Sequence, residues 1–150
     1  MIRNRKVYSD FAAGQVFYSP TRTICESDVM IFAGLSGDLN ELHTSRTYAE
    51  TTSYGRQVVH GLLVLSMANG LYTRAVNADT IFLGVETVRF VKPTFIGDTI
   101  YLRLTLQNMR LTKNPAKGIL TWQYEVFNQD EQIVMEGVVN RMINTCEGVL

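Results

Sequence analysis

The sequence predicts an α+β fold in which an antiparallel β-sheet packs against one long helix. Helix-like and irregular segments fill the first half of the chain, whereas apolar and polar residues alternate with a period of two in the second half. A nearly continuous apolar stretch of helical length lies just before the alternating region. Because helical and strand patterns are segregated along the chain, and no proline- or serine-rich linker separates them, we expect α+β rather than alternating α/β.

Two short helices are predicted ahead of the long one. Ser27 and Asp28 can cap a first helix that begins near Val29. This helix should end at Gly34 or Gly37, since glycine commonly follows a helix C-terminus. The residues just after it are therefore delivered into a turn.

The next predicted helices follow His43. Thr44 or Ser45 can cap a second short helix, which residues 53–55 should break. The longest helix candidate runs from about Val58 to Arg74 and would span roughly 25 Å. Its apolar residues cover almost the whole helix circumference, so we expect this helix to be buried.

The second half predicts four long antiparallel strands. Alternation is clearest in two runs of inward-facing residues: Ile100, Leu102, Leu104, Leu106, and Leu120, Trp122, Tyr124, Val126. Such alternation is typical of strands with one face in the core. Breaks rich in Pro, Gly and Asn separate strands near residues 82–91, 99–111, 119–128 and 132–142. A further strand near Gln15 to Cys25 would extend the sheet.

Composition limits the function classes. The 150 residues, 46% of them hydrophobic, suffice for one core, so we expect a single domain over residues 1–150. Basic and acidic residues number 14 each, which leaves no net charge to attract nucleic acid. Cys25 and Cys146 lack the spacing of a metal site or a disulfide scaffold. The basic start, Met1 to Lys6, is not followed by the apolar core of a signal peptide, and no segment is apolar enough to cross a bilayer. We therefore expect a soluble, cytoplasmic protein that binds no metal, nucleic acid or membrane.

One segment carries the residues of an acid/base site. Asp38, Asn40 and His43 follow the glycine that should end the first helix. A carboxylate, an amide and an imidazole in one fixed segment can hold a water molecule and move its protons, as the addition of water to a double bond requires. The alternative is structural: Asp38 can simply close a turn, and His43 can be a surface histidine.

Residues 32–49 resemble the signature of the MaoC-like dehydratase, or hydratase-2, family, to which (R)-specific enoyl-CoA hydratases belong. The signature is an aromatic residue, two variable residues, an aliphatic, a small residue, Gly-Asp-x-Asn-Pro-aliphatic-His, and a small residue six further on; Glu41 stands here in place of the proline. Similar strings occur at residues 59–63, 88–93 and 97–98. The resemblance implies a hot-dog fold, a curled antiparallel sheet wrapped around a long central helix. It also implies a homodimer or a dimer of dimers.

The resemblance further implies a reaction and its residues. Asp38 and His43 would be catalytic, with Asn40 positioning one of them or the water, in the reversible hydration of a trans-2-enoyl thioester to an (R)-3-hydroxyacyl thioester. Gly61, at the start of the long helix, would donate its N–H to the thioester oxygen. His60 and Ser66 are further substrate-binding candidates, although His60 can instead pack at the helix start and Ser66 can bond to its own helix. The substrate would be an acyl-CoA or acyl carrier protein thioester, with no cofactor.

Two other functions fit the same fold. A hot-dog thioesterase would also place an acid near the helix start, and a non-catalytic acyl-binding subunit would need no reacting group. The spacing Asp-x-Asn-x-x-His favours the hydratase over the thioesterase. The sequence leaves open the acyl-chain length, the carrier, and which of Asp38 and His43 moves which proton.

Overall fold

The computed structural model describes residues 5–146. Two parts of the predicted domain lie outside this range: residues 1–4, which belong to the basic start, and residues 147–150 at the other end. The helices and strands within this range are α1 Glu26–Ser36, α2 Glu41–Thr44, α3 Arg46–Glu50, α4 Gly61–Ala75, β1 Val16–Tyr18, β2 Arg22–Thr23, β3 Thr80–Phe90, β4 Thr99–Leu111, β5 Lys117–Phe127 and β6 Ile133–Asn144. The six strands form one antiparallel sheet in the order β1-β4-β5-β6-β3, with β2 also paired to β4. The predicted α+β class is confirmed.

The inner face of the sheet is the face predicted from alternation. All eight predicted inward residues of β4 and β5 are fully buried, and they pack against α4. Register shifts interrupt the β3–β6, β4–β5 and β5–β6 ladders, and such bulges bend strands and increase their twist. The sheet can therefore curl around the helix, as the hot-dog prediction requires.

The predicted N-terminal strand is split into two pieces. Pro20 lies between β1 and β2, where it cannot donate a ladder hydrogen bond. The Ser19 hydroxyl compensates by accepting the backbone N–H of Leu102 at 2.9 Å. Both pieces nevertheless pair with β4 and extend the sheet as expected.

The long helix begins three residues later than predicted. Val58 forms a β-bridge with Phe95, and the N–H of Val59 bonds to the carbonyl of Thr94 at 2.7 Å, so the chain stays extended until His60. The expectation that the whole circumference is buried is wrong for the single subunit. One side of α4 packs on the sheet, but Leu62 is 62% exposed.

The first helix is capped differently from the prediction. Its N-cap is Cys25, and Asp28 lies inside the first turn, where its carboxylate accepts the backbone N–H of Cys25 at 2.9 Å. This bond reaches backwards, so the helix starts at Glu26 rather than near Val29. The predicted end is confirmed at Gly37, which adopts the left-handed conformation with φ 77°.

The loop after α1 contains a helix that the sequence did not predict. Asn40 caps the single turn α2, because its side-chain oxygen accepts the N–H of Leu42 at 2.9 Å. The predicted cap of the next helix is confirmed, since the Ser45 hydroxyl accepts the N–H of Tyr48. Among residues 5–146, no helix combines the length and the apolar character of a bilayer-spanning segment.

Candidate active site

Three polar side chains from three segments converge beside the N-terminus of α4. Asp38 lies in the turn after α1, His43 lies on α2, and His60 directly precedes α4. The Oδ2 atom of Asp38 is 4.0 Å from Nε2 of His43 and 4.0 Å from Nε2 of His60. These separations are too long for direct hydrogen bonds and suit a bridging water molecule.

The hydrogen bonds of His43 define its tautomer. Its Nδ1 lies 2.7 Å from the backbone carbonyl of Val58, and a carbonyl can only accept, so Nδ1 carries the proton. In the neutral ring, Nε2 is then the unprotonated nitrogen, and this is the atom nearest Asp38. The side chain is 15% exposed. His43 is therefore oriented to accept a proton through Nε2.

Asp38 uses its two carboxylate oxygens differently. Oδ1 accepts the backbone N–H of Asn40 at 3.4 Å, which is the turn-closing bond of the structural alternative. Oδ2 is the oxygen that faces the two imidazoles. The side chain is 53% exposed. The structural and the catalytic interpretations of Asp38 are thus compatible, because each uses a different oxygen.

The side chain of Asn40 contributes as a helix cap, whereas its contacts with Asp38 and His43 are made by its backbone N–H and carbonyl. Its side-chain oxygen holds the N–H of Leu42 and so fixes the turn of helix that carries His43. Glu41 follows as the first helical residue, a position that proline favours but many residues tolerate. The departure from the family pattern therefore leaves the helix start intact.

His60 is buried, with 2% of its surface exposed. Its Nε2 donates to the backbone carbonyl of Asp38 at 3.0 Å, and its ring lies 3.9 Å from the ring of His43 and 5.1 Å from that of Phe32. The remaining nitrogen, Nδ1, is buried without a hydrogen-bond partner. His60 therefore contacts both predicted catalytic residues from inside the protein.

A groove of about 360 Å³ opens at the start of α4. It is lined by His43, Gly61, Val64, Phe90 and Lys92, among others, but not by Asp38 or Asn40. No side chain caps the helix, so its first N–H groups and the positive end of its dipole are available to an oxygen with developing negative charge. A Cβ on Gly61 would lie 2.8 Å from the ring of Phe90, so only glycine permits this close approach.

Comparison with known proteins identifies the family. The model of the MaoC like domain matches residues 10–126. The chain belongs to the MaoC-like dehydratase family. This MaoC-like protein is 38% identical over 130 residues to Protein MaoC of Klebsiella aerogenes, a match that covers 81% of this chain but only 39% of that protein. It is 31% identical over 137 residues to an (R)-specific enoyl-CoA hydratase of Rhodospirillum rubrum, covering 91% of this chain and 90% of the hydratase.

The fold is equally well matched. A solved structure of a monoamine oxidase regulatory protein from Archaeoglobus superimposes with a TM-score of 0.87 at 31% identity, covering 98% of this chain and 99% of the other. The MaoC-like protein has the hot-dog fold predicted from its sequence.

Ser66 is not brought together with the other predicted site residues. Its hydroxyl donates to the carbonyl of Leu62 at 2.8 Å, the bond to its own helix that the sequence allowed. It lines a second groove, between α1 and α4, with Ile31 and Met67 among its neighbours. The predicted substrate contact of Ser66 therefore has no support in this subunit.

Asp38, His43 and His60 could also be considered as a metal site, because their ligand atoms lie within 4.8 Å of one another. Zinc would need these atoms about 2.0–2.2 Å from the ion and the coordinating nitrogens unprotonated. Nε2 of His60 carries a proton that it donates to the Asp38 carbonyl, and moving that proton to the buried Nδ1 would leave it without an acceptor. The donor set thus suits an acid/base site better than a metal centre.

Gln57 is a site residue that the sequence analysis missed. It is 8% exposed, and its side-chain amide donates to the backbone carbonyl of His43 at 2.9 Å. Nothing local marks it, because it lies in an irregular segment and its partner is far away in sequence.

Proposed function

We propose that this MaoC-like protein is a hydro-lyase that reversibly adds water to a trans-2-enoyl thioester and forms an (R)-3-hydroxyacyl thioester. One observation carries the proposal: Nε2 of His43, the nitrogen that has no proton in the neutral ring, and Oδ2 of Asp38 lie 4.0 Å apart beside the groove at Gly61. A base, an acid and an uncapped helix N-terminus are the groups that this reaction needs.

The helix N-terminus would act on the thioester carbonyl. When water adds to the β-carbon, negative charge develops on the carbonyl oxygen, and the backbone N–H of Gly61 would stabilise it. One such donor is worth about 3 kcal/mol, or roughly a hundredfold in rate. Lys92, which lines the same groove, would add positive charge near the thioester carrier.

Asp38 and His43 would manage the protons of the water. One proton leaves the water as its oxygen bonds to the β-carbon, and one proton is delivered to the α-carbon as the enolate collapses. The tautomer of His43 favours Nε2 as the acceptor of the first proton. Asp38 would hold the water through Oδ2. The proton taken up by Nε2 of His43 would then return to the α-carbon, so that both residues end the reaction in their starting protonation states.

The relatives support this class of substrate. The Rhodospirillum rubrum protein named (R)-specific enoyl-CoA hydratase matches along nearly its whole length, whereas the match to MaoC covers a minor part of that protein. Other relatives are named as 3-hydroxyacyl-[acyl-carrier-protein] dehydratases. We therefore propose an acyl-CoA or acyl carrier protein thioester as the substrate.

We also propose that two subunits pair through β3. This 11-residue strand is at the edge of the sheet, and it exposes Ile81, Phe82, Leu83 and Phe90 by 39–47% each. A long, apolar, unpaired edge is a template for another strand. Sedimentation analysis should give a dimer or a dimer of dimers, and a monomer at micromolar concentration would contradict this pairing.

The proposed reaction is tested by mixing the purified protein with crotonyl-CoA and following the enoyl absorbance together with free thiol. Loss of absorbance without thiol release, absent in the His43→Ala variant, supports hydration at this site. Thiol release would instead identify a thioesterase. If enoyl thioesters of short, medium and branched chains all remain unchanged while the protein still binds them, the subunit is a non-catalytic acyl-binding protein.

A further inference from the structure

We infer that Gln57 and His60 are a pair of positioning residues that hold the two predicted catalytic residues by their backbone carbonyls. The inference rests on the proposed function, because positioning matters only if Asp38 and His43 react. His60 donates to the carbonyl of Asp38 at 3.0 Å, and Gln57 donates to the carbonyl of His43 at 2.9 Å. Both donors are buried, with 2% and 8% of their surface exposed.

The bond from His60 ties the turn to the core. The other hydrogen bonds of Asp38 link it to Ser36, the last residue of α1, and to Asn40, the N-cap of α2, so neither of them ties the turn to α4. His60 is 22 residues away in sequence and is itself fixed between α4 and the ring of Phe32. Without this tether, the half-exposed Asp38 would keep its local turn but lose its set distance from His43.

The bond from Gln57 does the same for His43. The segment 57–60 contacts α2 three times: Gln57 holds the His43 carbonyl, the Val58 carbonyl accepts from Nδ1 of His43, and the Val58 N–H bonds to the Leu42 carbonyl at 3.2 Å. One extended segment therefore sets the positions of both catalytic groups.

The bonding pattern leaves the reacting atoms free. Both tethers end on backbone carbonyls, so Oδ2 of Asp38 and Nε2 of His43 remain available to water. His60 does not line the groove that contains His43 and Gly61. The assignment thus differs from the substrate contact predicted for His60 from the sequence.

Two pairs of variants separate positioning from packing. His60→Leu and Gln57→Met remove the hydrogen-bond donor and replace it with an apolar side chain of similar size. His60→Gln and Gln57→His keep an N–H at a similar distance from Cβ. We expect kcat for crotonyl-CoA to fall about 30-fold or more in the donor-free variants with KM changed less than about threefold, since small misplacements of reacting groups cost up to about a hundredfold. The donor-keeping variants should recover to within about fivefold.

A second measurement does not depend on catalysis. Hydrogen–deuterium exchange of a peptide covering residues 38–45 should accelerate at least about tenfold in the donor-free variants and remain near the parent rate in the donor-keeping ones. Thr121→Val is the control, because it removes a 2.7 Å hydrogen bond to Asn140 in the sheet, away from the site. It should change neither kcat nor exchange in this peptide.

The outcomes are distinct. Loss of kcat with donor-dependent recovery and exchange supports positioning. Unchanged exchange, equal loss of kcat in both variants of a pair, or a rise in KM alone overturns it. If the parent protein hydrates no enoyl thioester, the proposed function fails, and donor-dependent exchange still decides whether the two side chains hold the turn.

Discussion

Two clusters of polar side chains contact α4, and they differ in how fully the groups at their centre are hydrogen-bonded. At the N-terminus of the helix, Asp38 and His43 face each other without a direct bond, and His60 keeps one unpartnered buried nitrogen. Roughly 12 Å further along the helix axis, the buried Arg141 bonds through all three of its nitrogens, to Tyr124, Thr80 and Asn69. Its guanidinium also stacks 3.7 Å from the ring centre of Tyr72.

The difference indicates what each cluster does. Arg141 has a partner for each nitrogen, and the unpartnered atoms near it, Oη of Tyr72 and Nε1 of Trp122, belong to side chains fully enclosed in the core. The Nε2 atom of His43 instead lies beside a groove, where its unused capacity is available to water or substrate. Burial raises the pKa of Tyr72 and of Tyr124, and the charge of Arg141 only partly opposes this effect. Both phenols therefore stay protonated at neutral pH and serve as neutral partners. The Arg141 cluster fastens α4 to the sheet, whereas the His43 cluster is the one that we propose to be catalytic.

The largest expected effect comes from substitutions that remove a reacting group but keep the hydrogen bonds that hold the residue in place. Asp38→Asn retains an oxygen for the turn, and His43→Asn retains a nitrogen near Nδ1 for the Val58 carbonyl. Each should lower kcat/KM for crotonyl-CoA about a thousandfold, within the range for lost acid/base groups. The free energy of unfolding, measured in urea, should change by less than about 0.5 kcal/mol for the half-exposed Asp38. An active Asp38→Asn protein would remove this residue from the mechanism.

The Arg141 cluster should respond in the opposite way. Arg141→Met leaves the buried hydroxyl of Tyr124 and the half-buried oxygens of Thr80 and Asn69 without this donor, and it should lower the free energy of unfolding by about 3 kcal/mol. Hydratase activity per folded molecule should stay within about twofold of the parent. Arg89→Met is the control, because Arg89 is an exposed residue with one weak ion pair at 3.9 Å, worth about 0–1 kcal/mol. A stable Arg141→Met variant with altered kcat would mean that Arg141 acts on the reaction.

The same comparison explains what the sequence could predict. The alternation around Leu104 and Trp122 reflects the local period of a strand. Asp38 and His43 lie only five residues apart. Both patterns are local, so the sequence alone could predict them. The contacts of Gln57 and Arg141 join residues far apart in sequence, and no local pattern encodes such contacts. The start of α4 was misplaced for the same reason, since the bridge between Val58 and Phe95 is a tertiary contact.

Gly61→Ala tests whether glycine is required here for packing or for the proposed N–H contact with the thioester. A methyl group would lie 2.8 Å from the Phe90 ring, which is 46% exposed and can rotate outward. We expect kcat/KM to fall about a hundredfold, because the side chain would obstruct the N–H that stabilises the thioester oxygen. In Gly61→Ala/Phe90→Leu, relief of the contact should restore thermal stability but not the rate. Full recovery of the rate would show that only packing requires glycine here.

The smallest effect should come from restoring the family's proline. Glu41 is the first residue of α2, where an N–H has no intrahelical partner, so Glu41→Pro removes no bond of the helix. Asn40, at φ −53° and ψ 132°, already has the backbone that precedes proline. Proline should raise the free energy of unfolding by about 0.4–1 kcal/mol through the unfolded chain and leave kcat within about twofold. Paired urea titrations of the parent and the variant measure this difference. A destabilised variant would show that Glu41 makes a contact that proline cannot replace. A higher kcat would show that the Asn40 cap alone does not fix the position of His43.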